Sequence, residues 1–134
     1  MIRKSLFNLT LGAMLAFFIV PVNASAQAMK SVEPFKVGTF AINDMPTVGL
    51  VVREDKLVID LTAANRAMEL IPQYSKLSMP KNMLGLIEQY EYGLKYRIYE
   101  VVNWLVKENQ LSSSNQPSYV HSVSSVDIMA PIQY

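Results

Sequence analysis

The sequence predicts an α+β domain in which a small antiparallel β-meander packs with two to three helices, after an N-terminal signal peptide. Three observations lead to this prediction. The chain begins with a basic and then apolar leader, continues with three short β-type runs joined by turn-like sequences, and later contains a stretch with strong helical periodicity. The leader covers residues 1–28, the β-type runs residues 35–61, and the periodic stretch residues 94–109.

The leader has the three parts of a bacterial export signal. Arg3 and Lys4 supply positive charge, the run from Leu11 to Val22 is almost wholly apolar, and a segment of small residues follows. Two A-x-A matches predict cleavage after Ala26 or after Ala28, because signal peptidase requires small side chains one and three positions before the cut. The alternative is an uncleaved membrane anchor, which the short apolar core and the proline at its end disfavour.

The part of the chain after the leader is near neutral and has no cysteine. Removing Arg3 and Lys4 turns 12 basic and 11 acidic residues into 10 and 11. This balance argues against nucleic acid as a partner, since phosphates require a basic patch. Without cysteine there are no disulfides, thiolate metal sites or lipid anchor, and no later segment is apolar enough to span a membrane. We expect residues 29–134 to form one domain, periplasmic or secreted, with no membrane association after signal cleavage.

The predicted meander consists of three short strands: Phe35 to Ile42, Thr47 to Val52, and Leu57 to Leu61. In the first strand, alternation places Val37 and Thr39 on one face and Phe40 and Ile42 on the other. The two separators, residues 43–46 and 53–56, are turn-like, the first because Asn and Asp bond their own backbone and Pro fixes φ.

Three helices are predicted after the meander. Asp60 or Thr62 caps a short helix from Ala63 to Leu70, and a second helix runs from Lys81 to Glu91. The third, from Leu94 to Asn109, has the clearest pattern, because its apolar residues recur at the spacing of one helix face. These residues are Leu94, Ile98, Val101, Val102 and Leu105. We expect this helix to pack across the sheet.

The remaining chain is predicted to contain a linker and a strand. Residues 111–118 are rich in serine and carry little apolar surface, which is typical of a loop. Residues 119–134 are predicted to form a final strand, because apolar and polar side chains alternate from Tyr119 onwards.

No catalytic constellation follows from the residues themselves. His121 is the only histidine, so no second imidazole can join it as a metal ligand. A general base is the functional interpretation of this residue, and a surface residue near the end of a strand is the favoured one. The serines at 112–114 and 124–125 lack a G-x-S-x-G context. The carboxylate pairs, Glu88 with Glu91 and Glu54 with Asp55, lie in stretches expected to face water. We therefore predict no catalytic, cofactor-binding or metal-binding residue in this chain.

Aromatic residues form the most suggestive remaining group. They are Tyr90, Tyr92, Tyr96, Tyr99 and Trp104, and they fall on or beside the third helix. Core packing explains part of this group, and a docking surface for another domain or subunit is the alternative, since tyrosine and tryptophan are enriched at interfaces.

Several segments resemble the N-terminal region of the fumarylacetoacetate hydrolase family. Residues 37–40 and 47–52 are similar to its opening strand pair, and 56–64, KLVIDLTAA, to a "V-h-D-L-x-x-A" strand-to-helix junction. Residues 82–87, which are predicted to be helical, are a further feature that agrees with the family's N-terminal region. Residues 126–132, VDIMAPI, resemble the "V-x-L-L-A-P-I" strand that precedes the family's catalytic domain. The resemblance covers most of residues 37–134.

This resemblance implies a metal-dependent hydrolase that cleaves a carbon–carbon bond in a diketo acid. In the family, Mg²⁺ or Ca²⁺ held by Asp and Glu oxygens polarises the substrate, while a His–Glu pair activates water. Those residues follow the "A-P-I" strand, so none is carried over to this chain. We expect the N-terminal, truncated part of an exported enzyme, inactive alone, which leads into a missing catalytic domain. The alternative is a stand-alone periplasmic binding or assembly module, whose aromatic helices dock a partner.

Overall fold

The computed structural model describes residues 29–132, so the predicted signal peptide lies outside the described residues. The described chain forms one five-stranded antiparallel sheet with three α-helices, which confirms the predicted α+β class. The strands are β1 (Lys36–Ile42), β2 (Met45–Val52), β3 (Leu57–Asp60), β4 (Val120–Ser122) and β5 (Asp127–Met129). The helices are α1 (Leu61–Met68), α2 (Met83–Gln89) and α3 (Lys95–Lys107). The order across the sheet is β4-β3-β2-β1-β5.

The predicted meander is present as β1, β2 and β3, joined by two tight hairpins. The first turn is shorter than predicted, because Asn43 and Asp44 both take positive φ (51° and 62°) and β2 already begins at Met45. Two successive residues with positive φ suit the right-handed twist of a hairpin. The second turn contains three successive residues with positive φ, Arg53 to Asp55 (56°, 55° and 66°), none of which is glycine.

Helix α1 follows β3 without a loop. Asp60 is its N-cap, and the carboxylate Oδ1 accepts a hydrogen bond from the backbone N–H of Ala63 at 3.0 Å. This bond satisfies one of the donors that a helix start leaves unpaired. Of the two predicted caps, the structure uses Asp60, so the helix begins two residues earlier than predicted and ends at Met68.

Helices α2 and α3 are separated by a kink within Tyr90–Leu94, where Tyr92 and Gly93 have non-helical backbone angles. The sequence predicts two helices over 81–91 and 94–109, and both are present with shorter ends. Asn82 caps α2 by accepting from the N–H of Gly85 at 2.9 Å. Gly93 has φ of 112°, a conformation that side-chain-bearing residues rarely adopt, and it separates the two helices.

The predicted linker at residues 111–118 is a packed turn region. Leu111 is buried in the main core, with 5% of its surface exposed. The side-chain amide of Asn115 donates to the carbonyls of Glu108 and Asn109 at 3.3 and 3.4 Å, just beyond the end of α3. These bonds attach the loop to the two residues that follow α3. The segment is therefore a loop, as predicted, but one fixed against the domain.

The prediction of one final strand over 119–134 is wrong. Residues 120–122 pair with β3, residues 127–129 pair with β1, and a 3₁₀ turn, Val123–Ser125, separates them. Serine hydroxyls cause the break, because the Ser122 and Ser124 hydroxyls share a hydrogen bond of 2.8 Å and Ser125 donates to the Ser122 carbonyl at 2.7 Å. Such local bonds compete with strand pairing.

The position of β4 and β5 shows that the sheet is strongly curled. They lie at opposite edges of five strands, which in a flat sheet would be about 19 Å apart. Only residues 123–126 connect them, and five steps of chain span at most about 18 Å even when fully extended. The 3₁₀ turn shortens this reach further. The two edges must therefore approach each other.

The curled sheet has two separate hydrophobic cores. The main core lies between one face of the sheet and the three helices, and contains Val48, Leu50, Val52, Ile59, Leu61, Ala64, Met68, Met83, Leu86, Leu94, Ile98, Val101, Val102, Trp104, Leu105, Leu111 and Val120. The second core, on the other face, consists of Phe40, Ile42 and Val58, with Val51, Val123 and Val126 packed against it. The predicted alternation along β1 is thus correct, since each face has its own core.

Candidate functional site

His121 and the serines do not form a catalytic pair. His121 lies half-buried in β4 opposite Val58. The nearby hydroxyls of Ser122, Ser124 and Ser125 bond to one another or to backbone within the 3₁₀ region. Ser112 and Ser114 likewise share a hydrogen bond of 2.8 Å in their own loop. These serines therefore stabilise turns.

The predicted carboxylate pairs lie on the surface. Glu88 and Glu91 are exposed, and Glu91 forms an ion pair with Lys95 at 2.7 Å. This contact is the main reason that the pKa of Lys95 is raised above its ordinary value. Glu54 and Asp55, in the β2–β3 turn, are also exposed; Glu54 pairs with Lys56 of the same turn and Asp55 with Lys36 of β1. Ion pairs of this kind contribute little to stability because water screens them.

The predicted aromatic group divides between interior and surface. Trp104 is 6% exposed and stacks on Tyr119, with ring centroids 6.4 Å apart. Tyr99 makes edge contacts with Phe35 (6.0 Å) and Tyr96 (6.2 Å). Tyr92, in the kink between α2 and α3, is 91% exposed. Only part of the group is therefore available to a partner.

Burial also raises the pKa values of two tyrosines, Tyr90 and Tyr119. It raises the pKa of Tyr90, and the neighbouring Tyr99 hydroxyl acts in the same direction. The pKa of Tyr119 is raised by burial too, although its hydroxyl donates to the side chain of Gln110 and this bond opposes the shift. Both phenols therefore stay neutral hydrogen-bonding groups at physiological pH.

An apolar surface lies where α2 meets the segment after β5. Pro46, Leu84 and Ile132 line a small cavity there, of about 110 Å³, and Ile87 follows Leu84 one helical turn later. We call these four residues the α2–β5 surface. Leu84 and Ile87 are 51% and 57% exposed, which is a large fraction for neighbouring apolar side chains.

The segment after β5 is fixed to the sheet at this surface. The hydroxyl of Thr39, a residue only 5% exposed, donates to the carbonyl of Pro131 at 3.1 Å. Strand β5 pairs with β1 through residues 127–129 and is an edge strand of the sheet. Its central side chain, Ile128, is 76% exposed. An edge strand with an exposed apolar side chain favours pairing or docking with other polypeptide.

A second concave feature lies at the opposite end of the sheet. A cleft of about 790 Å³ is bounded by residues 33–36, the β2–β3 hairpin and residues 111–116. Two contacts connect the first two walls: Glu33 accepts from the backbone N–H of Arg53 at 3.0 Å, and the Lys36 ammonium lies 2.8 Å from both oxygens of Asp55. Of the two, the Glu33–Arg53 hydrogen bond involves the backbone of the turn, whereas the Lys36–Asp55 pair is exposed to water.

The sequence did not indicate the buried cluster around Arg97. This residue is 4% exposed, and its guanidinium donates to the carbonyl and hydroxyl of Ser75 and lies 3.4 Å from Glu100. It therefore holds the loop between α1 and α2 against α3. An i, i+3 arginine–glutamate pair was visible in the sequence, but nothing marked its arginine as buried.

The start of the described chain is also held by α3. The side-chain amide of Asn103 accepts from the N–H of Val32 at 2.7 Å and donates to the carbonyl of Lys30 at 2.9 Å. Both backbone groups are thus satisfied as they would be by a neighbouring strand.

Within residues 29–132, no three His, Cys, Asp or Glu residues are arranged as a metal-binding group, and no helix is long and apolar enough to cross a membrane. None of the described residues is assigned to the Mg²⁺ or Ca²⁺ that the family resemblance implies. Comparison with known proteins found no matching family model, no matching curated protein and no matching solved structure.

Proposed function

We propose that this chain is the N-terminal, non-catalytic domain of an exported enzyme of the fumarylacetoacetate hydrolase type. Its role is to dock a catalytic domain that carries the Mg²⁺ or Ca²⁺ site and cleaves a carbon–carbon bond in a diketo acid. The docking region is the α2–β5 surface together with Ile128. The chain by itself has no hydrolase activity.

One observation supports this proposal most strongly. The segments that resemble the family form one continuous unit, since residues 37–40 and 47–52 lie in the paired strands β1 and β2 and residues 56–64 form the β3–α1 junction. The "A-P-I"-like segment then runs beside β1, and its Ile132 lies next to Leu84 of α2. Exposed apolar side chains thus cluster where the family's catalytic domain would begin.

The first test concerns the polypeptide to which these residues belong. We expect the native protein, isolated from its own cells with an antibody against this domain, to contain a catalytic domain and to hydrolyse an acylpyruvate with Mg²⁺. We expect DNA downstream of residue 134 to encode "G-L-N-Y"-like and "E-x-E"-like sequences in some reading frame. Absence of both sequences, or hydrolysis by the 134-residue chain alone, contradicts the proposal.

The second test concerns the docking surface. In the native enzyme, Leu84→Asp should reduce hydrolysis strongly, because a carboxylate in an apolar interface loses its hydration. The matched control is Leu70→Asp, since Leu70 is 85% exposed and lies outside the α2–β5 surface. Equal activity of the two variants, with unchanged circular dichroism, overturns this assignment of the surface.

The second candidate function is a stand-alone periplasmic binding or assembly module. The exposed side chains of Tyr92 and Tyr96 (91% and 42%) favour it, because both rings are available to a partner. This candidate predicts that the isolated domain is monodisperse and unfolds cooperatively. The docking-domain proposal predicts instead concentration-dependent association that Ile128→Asp abolishes, since Ile128 is then an uncovered interface residue. Analytical ultracentrifugation distinguishes the two.

A further inference from the structure

The cleft at the β2–β3 hairpin has the features of a small-molecule site. It lies away from the α2–β5 surface and shares no lining residue with it. Its volume of about 790 Å³ is within the range of about 300–1,000 Å³ that small-molecule pockets typically have. Three separate parts of the chain form its walls.

The floor of the cleft is apolar and preformed. Val52 and Leu111 are 1% and 5% exposed and belong to the main core, so they have little freedom to move. Phe35 and Leu57 are half-buried beside them, and the ring of Phe35 makes an edge contact with the ring of Tyr99, with centroids 6.0 Å apart. A ligand placed here therefore contacts side chains that are already ordered, which lowers the entropy lost on binding.

The mouth of the cleft has no net charge. Its three cations and three anions form ion pairs with one another: Lys36 with Asp55, Arg53 with Glu33, and Lys56 with Glu54. The mouth therefore offers a charged ligand no net opposite charge, whereas an uncharged ligand needs none. The electrostatics therefore favour a neutral molecule.

Neutral polar groups are the ones left available. Ser113 and Gln116 line the cleft, and within residues 29–132 neither side chain has a hydrogen-bond partner. A hydroxyl and a primary amide together offer donors and acceptors without charge. They match a carbonyl, hydroxyl or amide on a ligand whose remaining surface is apolar.

From these observations we propose that the cleft binds an uncharged, mainly apolar small molecule with one or two neutral hydrogen-bonding groups. The apolar part lies on Phe35, Leu57 and Leu111, and the polar part faces Ser113 and Gln116. This site is independent of the proposed docking function, because no residue is common to the two regions.

The test uses two fluorescent probes that share one aromatic framework. N-phenyl-1-naphthylamine is uncharged, and 1-anilinonaphthalene-8-sulfonate adds a sulfonate to it. We expect the full chain, purified after any processing by the cells that produce it, to bind the uncharged probe saturably and one to one. We expect the sulfonate to bind at least about tenfold more weakly. Tighter binding of the sulfonate overturns the proposed ligand class.

Matched variants locate the bound probe. Ser113→Trp fills the cleft from an exposed loop position, so it should reduce affinity for the uncharged probe at least about tenfold. Ser118→Trp, also exposed but outside the cleft lining, should leave the affinity unchanged. Equal affinities of the two variants, binding that Leu84→Ser abolishes, or no saturable binding to the full chain overturns the site. Circular dichroism verifies that each variant is folded.

Discussion

The main core and the second core lie on opposite faces of the same sheet but are covered in different ways. Three helices cover the main core, whose 17 buried residues lie between Val48 in β2 and Val120 in β4. The second core has three buried residues, and the curl of the sheet and residues 123–126 cover it. A β-sheet can thus bury its second face without another layer of helices, provided that its edges approach each other.

This difference explains how much of the fold the sequence could reveal. The main core was predictable, because its helix residues recur at 3.6-residue spacing and local propensity agrees with tertiary packing there. The second core depends on which edge each late strand joins. That choice rests on contacts between residues far apart in sequence, such as Thr39 with Pro131, and no local pattern encodes it.

The largest expected effect is in the main core. Leu50→Ala removes a fully buried side chain and should lower the free energy of unfolding by about 3–4 kcal/mol, the sum of lost transfer energy and a new cavity. Urea unfolding followed by circular dichroism measures it. The control Leu70→Ala, at an exposed position, should change stability by less than about 0.5 kcal/mol. A small loss at Leu50 would mean that the main core does not dominate stability.

The next effect tests the second core. A Cβ at Gly49 would lie 2.7 Å from Cδ2 of Phe40 and 2.9 Å from Cγ1 of Val58, both below van der Waals contact. Gly49→Ala should therefore cost about 1–3 kcal/mol of stability through overpacking. Adding Phe40→Leu should reduce this penalty in a double-mutant cycle. Additive effects would show that the two side chains do not share one core.

A smaller effect on stability is expected at the N-terminus of α1, the helix that follows β3 and packs on the main core. Asp60→Ala removes the N-cap of α1 and should cost about 1 kcal/mol. Thr62→Ala, at the other position that the sequence offered as a cap, should cost less than about 0.5 kcal/mol. Thermal unfolding of both variants separates the two. A larger loss at Thr62 would contradict the observed cap.

The smallest effect is the pH dependence of the contact between α1 and its following loop. The carboxylate of Glu69 accepts from the backbone N–H of Leu77, which is the main reason that its pKa is lowered below the ordinary value, and the Asn65 amide adds to the effect. The folded state binds protons less readily than the unfolded state. The stabilisation is therefore complete well above pH 4.5 and is lost as pH falls through the lowered pKa.

The variant Glu69→Gln isolates this contribution, because it keeps the shape but does not titrate. We expect the wild-type protein to be more stable than the variant at pH 7 by less than about 1 kcal/mol, since the site is partly exposed. The difference should shrink between pH 5 and pH 3 in urea unfolding. A difference that stays constant with pH would exclude the carboxylate as its source.

The candidate sites show the same limit of sequence-based inference. The apolar residues of α2 were recognisable from the sequence, but the position of Ile132 beside Leu84 required the β1–β5 pairing. The cleft was not predictable, because its walls come from three segments that are far apart in sequence. The sequence of residues 53–56 predicts only a polar turn between two strands.

The order of strands also constrains when this domain can fold. The three early strands expose both of their edges until β4 and β5 attach, and the Thr39–Pro131 hydrogen bond joins residues 92 positions apart. A chain with such distant pairings folds slowly compared with one built from local contacts. During synthesis, the five-stranded sheet therefore stays incomplete until residue 129 has emerged. In that interval the edges of the early strands are open to pairing with other chains, which is the condition that chaperones counteract.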